Sequence, residues 1–547
     1  SHIHSHSSSM RILFIFLSIF SIVNSLHILV YSLAIAHSHL DFASTLIRKL
    51  EARGHTIDLI IVRFNNALTS NGTHNARTIL NVGFPNGGGD WSSQPHITRP
   101  FTDLPGDDSW ASTTAISFFK LADALCNYVL TDSSISSHLS SHSYDLALVS
   151  NYDGCPLALS HRHGINRVVG YSSFPIGSPE FVREFNQFNL DTLYFIQYFN
   201  GLPDLPIYIS DTIHRFPNFD IHNIFDRLRN FARNIHMLSD RVEIFDGTDK
   251  VIRKHYGEDF PGTFELGREM FYELANSHPL LEEPKPISLR IKYIGGIGFK
   301  PAKNITPEYS SILSSVTRGA VLISFGSQVE ADAFPSHVVD AFVHSAKSLP
   351  EFTFIWRYTK PLNGEVPSNL HIVDWLPQND LLQSPRVVAF VSHMGMNSFI
   401  ESTFAGVPFL SIPLFADQVH NAYNAERLGM GIILKKNEIT RESMVEKMRE
   451  ILLNEKYLVR AREISSMLSI YPDDPSDVFV DTIEFASKAN RLGEQFRLPG
   501  GDLFVWQHLG YDIILVLYSI SLVIACASYK LLSFLLCRIS IRKVKSD

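Results

Sequence analysis

The chain has 547 residues, of which 45% are apolar and 19% charged, and it carries a net charge of −8. That length is more than one hydrophobic core organises and implies two domains with appendages. The composition excludes a disordered chain, and without a basic block ahead of the last few residues it argues against a nucleic-acid partner. Residues Ser1–Ser9 are low in complexity and precede Met10, so they are set aside. Arg11, the apolar run Ile12–Val23 and the small-residue end Val23-Asn24-Ser25 read as a secretory signal, too short to span a membrane comfortably. The bulk of the chain is therefore expected in the lumen of the endoplasmic reticulum, and the sequons at Asn71 and Asn304 fit that compartment.

Leu26–Ile35 is apolar almost throughout and predicts the first strand. A turn with His37, Ser38 and His39 leads to a helix ending near Ala52, with Leu40, Ala43, Leu46, Ile47 and Leu50 on one face. Gly54 ends it, and Ile57–Val62 is the next strand. This βαβ opening puts His37 and His39 at the carboxyl end of the first strand, the edge where open α/β sheets hold ligands. Ala67–Trp110, rich in Gly, Asn, Thr, Ser and Pro, is expected as loop, with Asn81–Asp90 a long surface segment. A helical pattern resumes at Ala115–Leu130, and Tyr144–Val149 is a strand followed by Ser150, Tyr152, Asp153 and Cys155. From Tyr171 to about Pro284 the aromatic density suits an acceptor pocket, a bilayer surface or ordinary helix packing. Glu282–Pro286, with two prolines and charge, reads as an interdomain linker.

The second half opens with the glycines of Tyr293–Gly298. Val321–Phe325 and Phe352–Arg357 are strands, the first running into Gly326-Ser327 and the second ending in Arg357. Trp375 offers a flat face for a base, and Gln378 sits one short turn later. Val387–Val391 is a short β-branched run, the mark of a buried parallel strand. Ser392, His393 and Gly395 make a tight turn after it, and a helix from Asn397 to Ala405 is stopped by Gly406 and Pro408. Such a strand–turn–helix is an anion site, because unpaired N–H groups and the helix dipole face the turn. His393 and Asn397 lie where they add side-chain donors, and Glu401 follows one helical turn later. A strand at Pro408–Pro413 leads to Asp417 and Gln418, an acceptor-rich pair suited to sugar hydroxyls. A base shelf, a diphosphate cradle and a hydroxyl-binding pair describe a nucleotide-sugar pocket.

Ile513–Leu536 is long and apolar enough to cross a bilayer, with Lys530 near an interface. Arg538, Arg542, Lys543 and Lys545 follow and place the tail in the cytosol. The ending K-V-K-S-D matches a retrieval signal for resident membrane proteins of the endoplasmic reticulum. Cys526 and Cys537 belong to the span and its edge, whereas Cys126 and Cys155 are luminal and free to pair. No C-x-x-C or H-E-x-x-H metal pattern occurs.

The block W-L-P-Q, H-M-G-M-N-S-F-I-E, G-V-P and F-A-D-Q between Trp375 and Gln418 resembles the motif of the UDP-glycosyltransferases, most closely the membrane-bound animal UDP-glucuronosyltransferases. Met394 stands where the first glycine of H-G-G is usual, which weakens the expectation of very close backbone approach to a diphosphate. The resemblance covers nearly all of the chain after Leu26. It implies an α/β fold of two Rossmann-like doubly wound domains facing a cleft (GT-B type) with one carboxy-terminal transmembrane helix. Residues 1–25 would be tail and signal, 26–287 the acceptor domain, 288–500 the UDP-sugar domain, 511–536 the membrane helix and 537–547 a basic cytosolic tail.

By the same resemblance His39 is the catalytic base, since it follows a serine and Gly54-His55 sits at the family spacing; His37 is the runner-up. The family's acidic partner falls five positions before the cysteine, where this chain has Ser150; Asp153 is then the candidate carboxylate, with a local turn role as the other reading. Trp375 and Gln378 would hold the base, Ser327, Arg357, His393 and Asn397 the diphosphate together with Gly395 and Ser398, Glu401 the ribose, and Asp417 and Gln418 the sugar. The implied reaction is inverting transfer from UDP-glucuronate, or from UDP-glucose, to a small lipophilic acceptor, with no metal and no cofactor beyond the UDP-sugar. A weak base beside Ser150 would instead leave a non-catalytic UDP-sugar-binding relative. The protein is expected as a single-pass type I membrane protein of the endoplasmic reticulum, and a homo-oligomer is allowed.

Overall fold

The computed structural model describes residues 25–72, 76–84, 91, 99–101, 120–150, 152–173, 222–228, 246–284, 287, 289–303, 305–326, 329, 333–362, 364–415, 417–490, 495 and 511–544. The signal segment, the sequon at Asn304, Ser327, Lys545 and most of the aromatic stretch after Tyr171 lie outside them.

The β-branched runs form strands because they can be buried on both faces, and that needs parallel pairing with helices covering each side. Strands β1 (His27–Ala34), β2 (Thr56–Arg63), β3 (Thr78–Gly83), β4 (Leu146–Ser150), β5 (Val168–Ser172), β6 (Tyr272–Ala275) and β7 (Ile291–Tyr293) make one sheet. Its order is β3-β2-β1-β4-β5-β6-β7, and its pairings are parallel. Strands β8 (Gly319–Ser324), β9 (Phe352–Arg357), β10 (Leu370–Val373), β11 (Val387–Ser392), β12 (Phe409–Ser411) and β13 (Gly431–Ile433) make a second parallel sheet. Its order is β10-β9-β8-β11-β12-β13. Both sheets reverse their winding direction once, between β1 and β4 and between β8 and β11. At such a reversal the two following loops diverge and leave a crevice at the carboxyl ends of the strands.

Each sheet is covered on both faces by apolar side chains. The helix His37–Ala52 buries Leu40, Ala43, Leu46, Ile47 and Leu50 against the first sheet, the face its periodicity predicts. Residues 78–83 correct the loop expected over Ala67–Trp110. They form β3, in full register with β2 and only partly buried. An edge strand of this kind has one bare side, so its sequence T-I-L-N-V-G lacks the continuous apolar run of a central strand.

The chain changes halves later than the expected boundary at 287/288. Ile291–Tyr293 is the outer strand of the first sheet. After the second sheet is complete, the helix Pro475–Lys488 returns to the first and buries Phe479, Val480, Ile483 and Ala486 in its core. Arg53 pairs with Asp477 and Arg167 Nε donates to Ala489 O, so this helix is fastened to the first layer at both ends. Within the expected linker, Glu282 is buried and its Oε2 lies 3.0 Å from His420 Nε2. The linker is thus anchored on the second half.

Cys126 and Cys155 form a disulfide with a Cα–Cα distance of 5.5 Å. It ties the helix through 120–131 to the helix Cys155–Arg162 that follows β4. At the carboxy-terminal end, Tyr511–Val544 is one helix, and its residues Tyr511–Leu536 are long and apolar enough to cross a membrane, with a mean hydropathy of 2.0. At ~1.5 Å per residue that stretch exceeds the ~30 Å hydrocarbon layer.

Candidate active site

The sequence-derived residues gather at the carboxyl edges of the two sheets. His39 lies in the first turn of the helix after β1, beside the winding reversal of the first sheet. Its Nδ1 is 3.2 Å from the Tyr152 hydroxyl and 3.1 Å from the Ser173 hydroxyl, and those two hydroxyls are 2.7 Å apart. Tyr152 follows β4 and Ser173 follows β5, so three consecutive sheet edges converge on one imidazole. Burial lowers the His39 pKa to about 4, which keeps the ring neutral near pH 7. His37 is exposed on the same turn.

Asp153 does not supply the carboxylate expected for His39. It is buried, and its Oδ1 accepts a hydrogen bond from Cys155 N at 2.8 Å, closing its own turn. Burial raises its pKa to about 7. Ser150, at the end of β4, is buried and directs its hydroxyl to the Tyr171 phenol. The partners that replace the acid are neutral hydroxyls, which orient an imidazole without adding charge.

In the second sheet, β11 ends in His393-Met394-Gly395 and the helix Met396–Ala405 begins at once. The His393 ring fills the space between two glycines. A Cβ at Gly326 would stand 2.8 Å from its Cε1 and Nε2, and one at Gly395 would stand 2.7 Å from its Nε2. Any side chain at either position would displace the ring. Burial lowers the His393 pKa to about 4, opposed by a bond to the Ser324 carbonyl. Met394 has φ of 69°, the left-handed backbone that the usual glycine adopts freely. Its side chain is fully buried in the core, its N–H donates to Ser392 Oγ and its carbonyl accepts from Asn421 Nδ2. The turn therefore keeps a glycine-like path, and the methionine side chain points into the core.

Gln378 Nε2 donates to Ser398 Oγ at 3.1 Å and to Glu401 Oε2 at 2.7 Å, so these three residues form one cluster. Burial raises the Glu401 pKa to about 7 against the bond from Gln378. The Arg357 guanidinium donates to Gly326 O and lies 5.9 Å from the centroid of the Trp375 ring, which is 69% exposed. Asp417 accepts from Asn421 Nδ2 at 2.9 Å, and burial raises its pKa to about 6. Gln418 is buried with its Oε1 bound to Leu414 N and Phe415 N, which holds the loop after β12. Ser327 lies outside the described residues.

One side chain joins the two edges. Asn276, just after β6, donates through Nδ2 to Ser173 O at 3.0 Å and to Asn397 Oδ1 at 3.3 Å. Asp417 is also close enough to Tyr152 to raise its pKa electrostatically, behind the larger effect of burial. Tyr152, Ser173, Asn276 and Asn421 were not among the residues expected from sequence. Each follows a strand or lies on a helix at the carboxyl edge, and that position was the available signal.

The description "UDP-glucoronosyl and UDP-glucosyl transferase" matches residues 27–546, nearly the entire chain. The chain belongs to this family of glycosyltransferases. UDP-glucuronosyltransferase 1A7 of Mus musculus is 25% identical over 509 residues, which cover 90% of this chain and 90% of that protein. UDP-glucuronosyltransferase 1A6 of Homo sapiens is 31% identical over 252 residues, 46% of this chain and 47% of that one. The crystal structure of the glycosyltransferase VinC in complex with DTDP matches with a TM-score of 0.52 at 15% identity, over 85% of this chain and all of VinC. The family assignment and the shared GT-B architecture together make the cleft between the carboxyl edges the place to seek a UDP-sugar.

Proposed function

We propose that this UDP-glycosyltransferase moves glucuronic acid from UDP-glucuronate to a hydroxyl of a small lipophilic acceptor, with inversion and with His39 as general base. The support is the join between the two sheet edges: Asn276 bonds both Ser173, a neighbour of His39, and Asn397, in the turn suited to an anion. With Nδ1–H donated to Tyr152 or Ser173, Nε2 is the nitrogen left for the acceptor hydroxyl. The hydroxyl oxygen attacks the anomeric carbon and its proton goes to Nε2. The bond from that carbon to the β-phosphate oxygen breaks, and the electron pair leaves with UDP. Main-chain N–H groups at the start of the helix Met396–Ala405, with Asn397, stabilise the departing diphosphate. Trp375 and Gln378 hold the base, Arg357, His393, Gly395, Ser398 and Ser327 complete the nucleotide pocket, Glu401 binds ribose, and Asp417 and Gln418 meet the sugar.

Two further readings each have an observation behind them. Asp417 accepts from the uncharged Asn421 amide and from the Met396 backbone, a setting that suits the neutral sugar of UDP-glucose better than a second carboxylate. Ser150 and Asp153 are both committed elsewhere, which favours a binding protein without turnover. UDP release by membranes carrying the chain, given either donor and a panel of lipophilic phenols, separates the three. Acceptor-dependent release from UDP-glucuronate supports the first reading, and release from UDP-glucose alone replaces the donor. Bound UDP with no release under either donor leaves the non-catalytic reading.

The disulfide between Cys126 and Cys155 suits an oxidising compartment, and the helix Tyr511–Val544 suits a membrane anchor. Together they favour domains on the luminal side of the endoplasmic reticulum membrane with a short cytosolic tail.

A further inference from the structure

Opposite the candidate active site, at the amino-terminal edge of the first sheet, histidines surround a single buried carboxylate. Asp58, near the start of β2, is 1% exposed. Its Oδ2 lies 2.9 Å from His138 Nε2, 3.0 Å from His27 Nε2 and 2.8 Å from the Tyr144 hydroxyl. Arg77 donates through Nε to Oδ1 at 2.9 Å and through Nη2 to Oδ2. Asp58, His138 and His142 each bring one ligating atom within 4.8 Å of the other two. Burial alone would raise the Asp58 pKa; the bonds from Arg77, His138, Tyr144 and His27 outweigh it and hold the group well below the usual carboxylate range.

The ring protons point to more than a hydrogen-bond network. His27 Nδ1 is 2.7 Å from Ser143 O, and His142 Nδ1 is 2.9 Å from His138 O. A carbonyl oxygen only accepts, so both Nδ1 atoms carry a proton; His27 spends its other nitrogen on the bond to Asp58, whereas Nε2 is the His142 atom that can ligate. A histidine whose second N–H donates to a backbone carbonyl is the arrangement in which imidazoles ligate metals. The 2.9 Å separation of His138 Nε2 from Asp58 Oδ2 is close to the edge of about 3.3 Å for a tetrahedron with zinc–ligand bonds of about 2.0–2.1 Å.

We propose that Asp58, His138 and His142 form a binding site for one divalent cation of the zinc class, and that Arg77 yields its place at Oδ2 when the ion enters. The Arg77 side chain is 41% exposed and has solvent to move into. Two imidazoles and one carboxylate favour zinc, cobalt or nickel over calcium or magnesium. The ligands come from β2 and from the helix Ser133–Ser141 with its C-cap His142, so the ion ties these two elements together on the side away from the reaction. Its role is structural.

The test uses the full chain in detergent, stripped with a chelator and dialysed against buffered Zn²⁺, as wild type and as His138→Ala, His142→Gln and Arg77→Ala. His2, His4 and His6 are common to all four proteins, so differences between them report the Asp58 site. The wild type is expected to hold one more Zn²⁺ than His138→Ala and to gain thermal stability with Zn²⁺ where that variant does not. His142→Gln, at an exposed position that does not threaten folding, should weaken binding by about tenfold or more. Arg77→Ala should tighten it by about tenfold, because it removes a like charge from the site. Equal Zn²⁺ content in the wild type and both histidine variants would overturn the proposal, as would weaker binding in Arg77→Ala. Either result would leave Asp58 as the centre of a hydrogen-bonded network only.

Discussion

The Tyr152 hydroxyl stands 3.2 Å from His39 Nδ1, and the Ser173 hydroxyl closes the triangle at 3.1 Å. A neutral pair therefore orients the proposed base where an acid was expected. Replacing Tyr152 by Phe removes one hydrogen bond worth about 1 kcal/mol, so kcat should fall about fivefold with little change in the KM for UDP-sugar. The double variant Tyr152→Phe, Ser173→Ala should lose about a further fivefold. Steady-state kinetics of the three proteins measure this, and an unchanged kcat in the double variant would remove both hydroxyls from the mechanism.

The pH dependence follows from burial. With a His39 pKa of about 4, the base is unprotonated down to that pH, and the acid limb of kcat/KM should bend near 4 and not near 6.5. Asp417, raised to about 6 by burial, can add an inflection there, and Asp417→Asn should abolish that one alone. The sign for stability is also fixed. A histidine depressed on folding adds stability that is present above its unfolded pKa near 6.5 and is lost as pH falls toward 4. His39 and His393 both contribute in this direction.

Restoring an acid at position 150 should not restore a dyad. Ser150 is 3% exposed and faces Tyr171, and the nitrogen it would have to reach is already engaged by Tyr152 and Ser173. Ser150→Asp buries a carboxylate without a cation and should cost about 2–3 kcal/mol of stability, with no gain in kcat. Urea unfolding together with UDP release checks both halves of this expectation.

At the anion turn, Gly395→Ala places a methyl group 2.7 Å from His393 Nε2 and should lower UDP affinity by about tenfold. Met394→Gly acts through stability. It relieves a left-handed residue worth about 1–2 kcal/mol but empties a fully buried site whose loss costs about 2–5 kcal/mol. The net effect should be destabilising despite restoring the family's usual glycine, as read from the urea midpoint.

The central strands and the strand–turn–helix at His393 were legible because their evidence is local. Val387–Val391 is a continuous β-branched run, and His393, Gly395, Asn397 and Glu401 follow within one turn and helix. Other features depend on contacts that no local pattern encodes. The residues that meet His39 are 113 and 134 positions away in the chain. Thr78–Gly83 is half exposed at a sheet edge, so its composition reads as loop. The return of Pro475–Lys488 to the first sheet shows only in three dimensions, since an amphipathic helix does not name the face that will cover it.

The measurement that bears most directly on the proposed transfer is UDP release and UDP binding side by side in the wild type and His39→Ala. If His39 is the base, His39→Ala should lose about 10²–10⁴-fold in acceptor-dependent release while UDP binding stays within about twofold. Unchanged release in His39→Ala would contradict the assignment and move the proton acceptor elsewhere in the cleft.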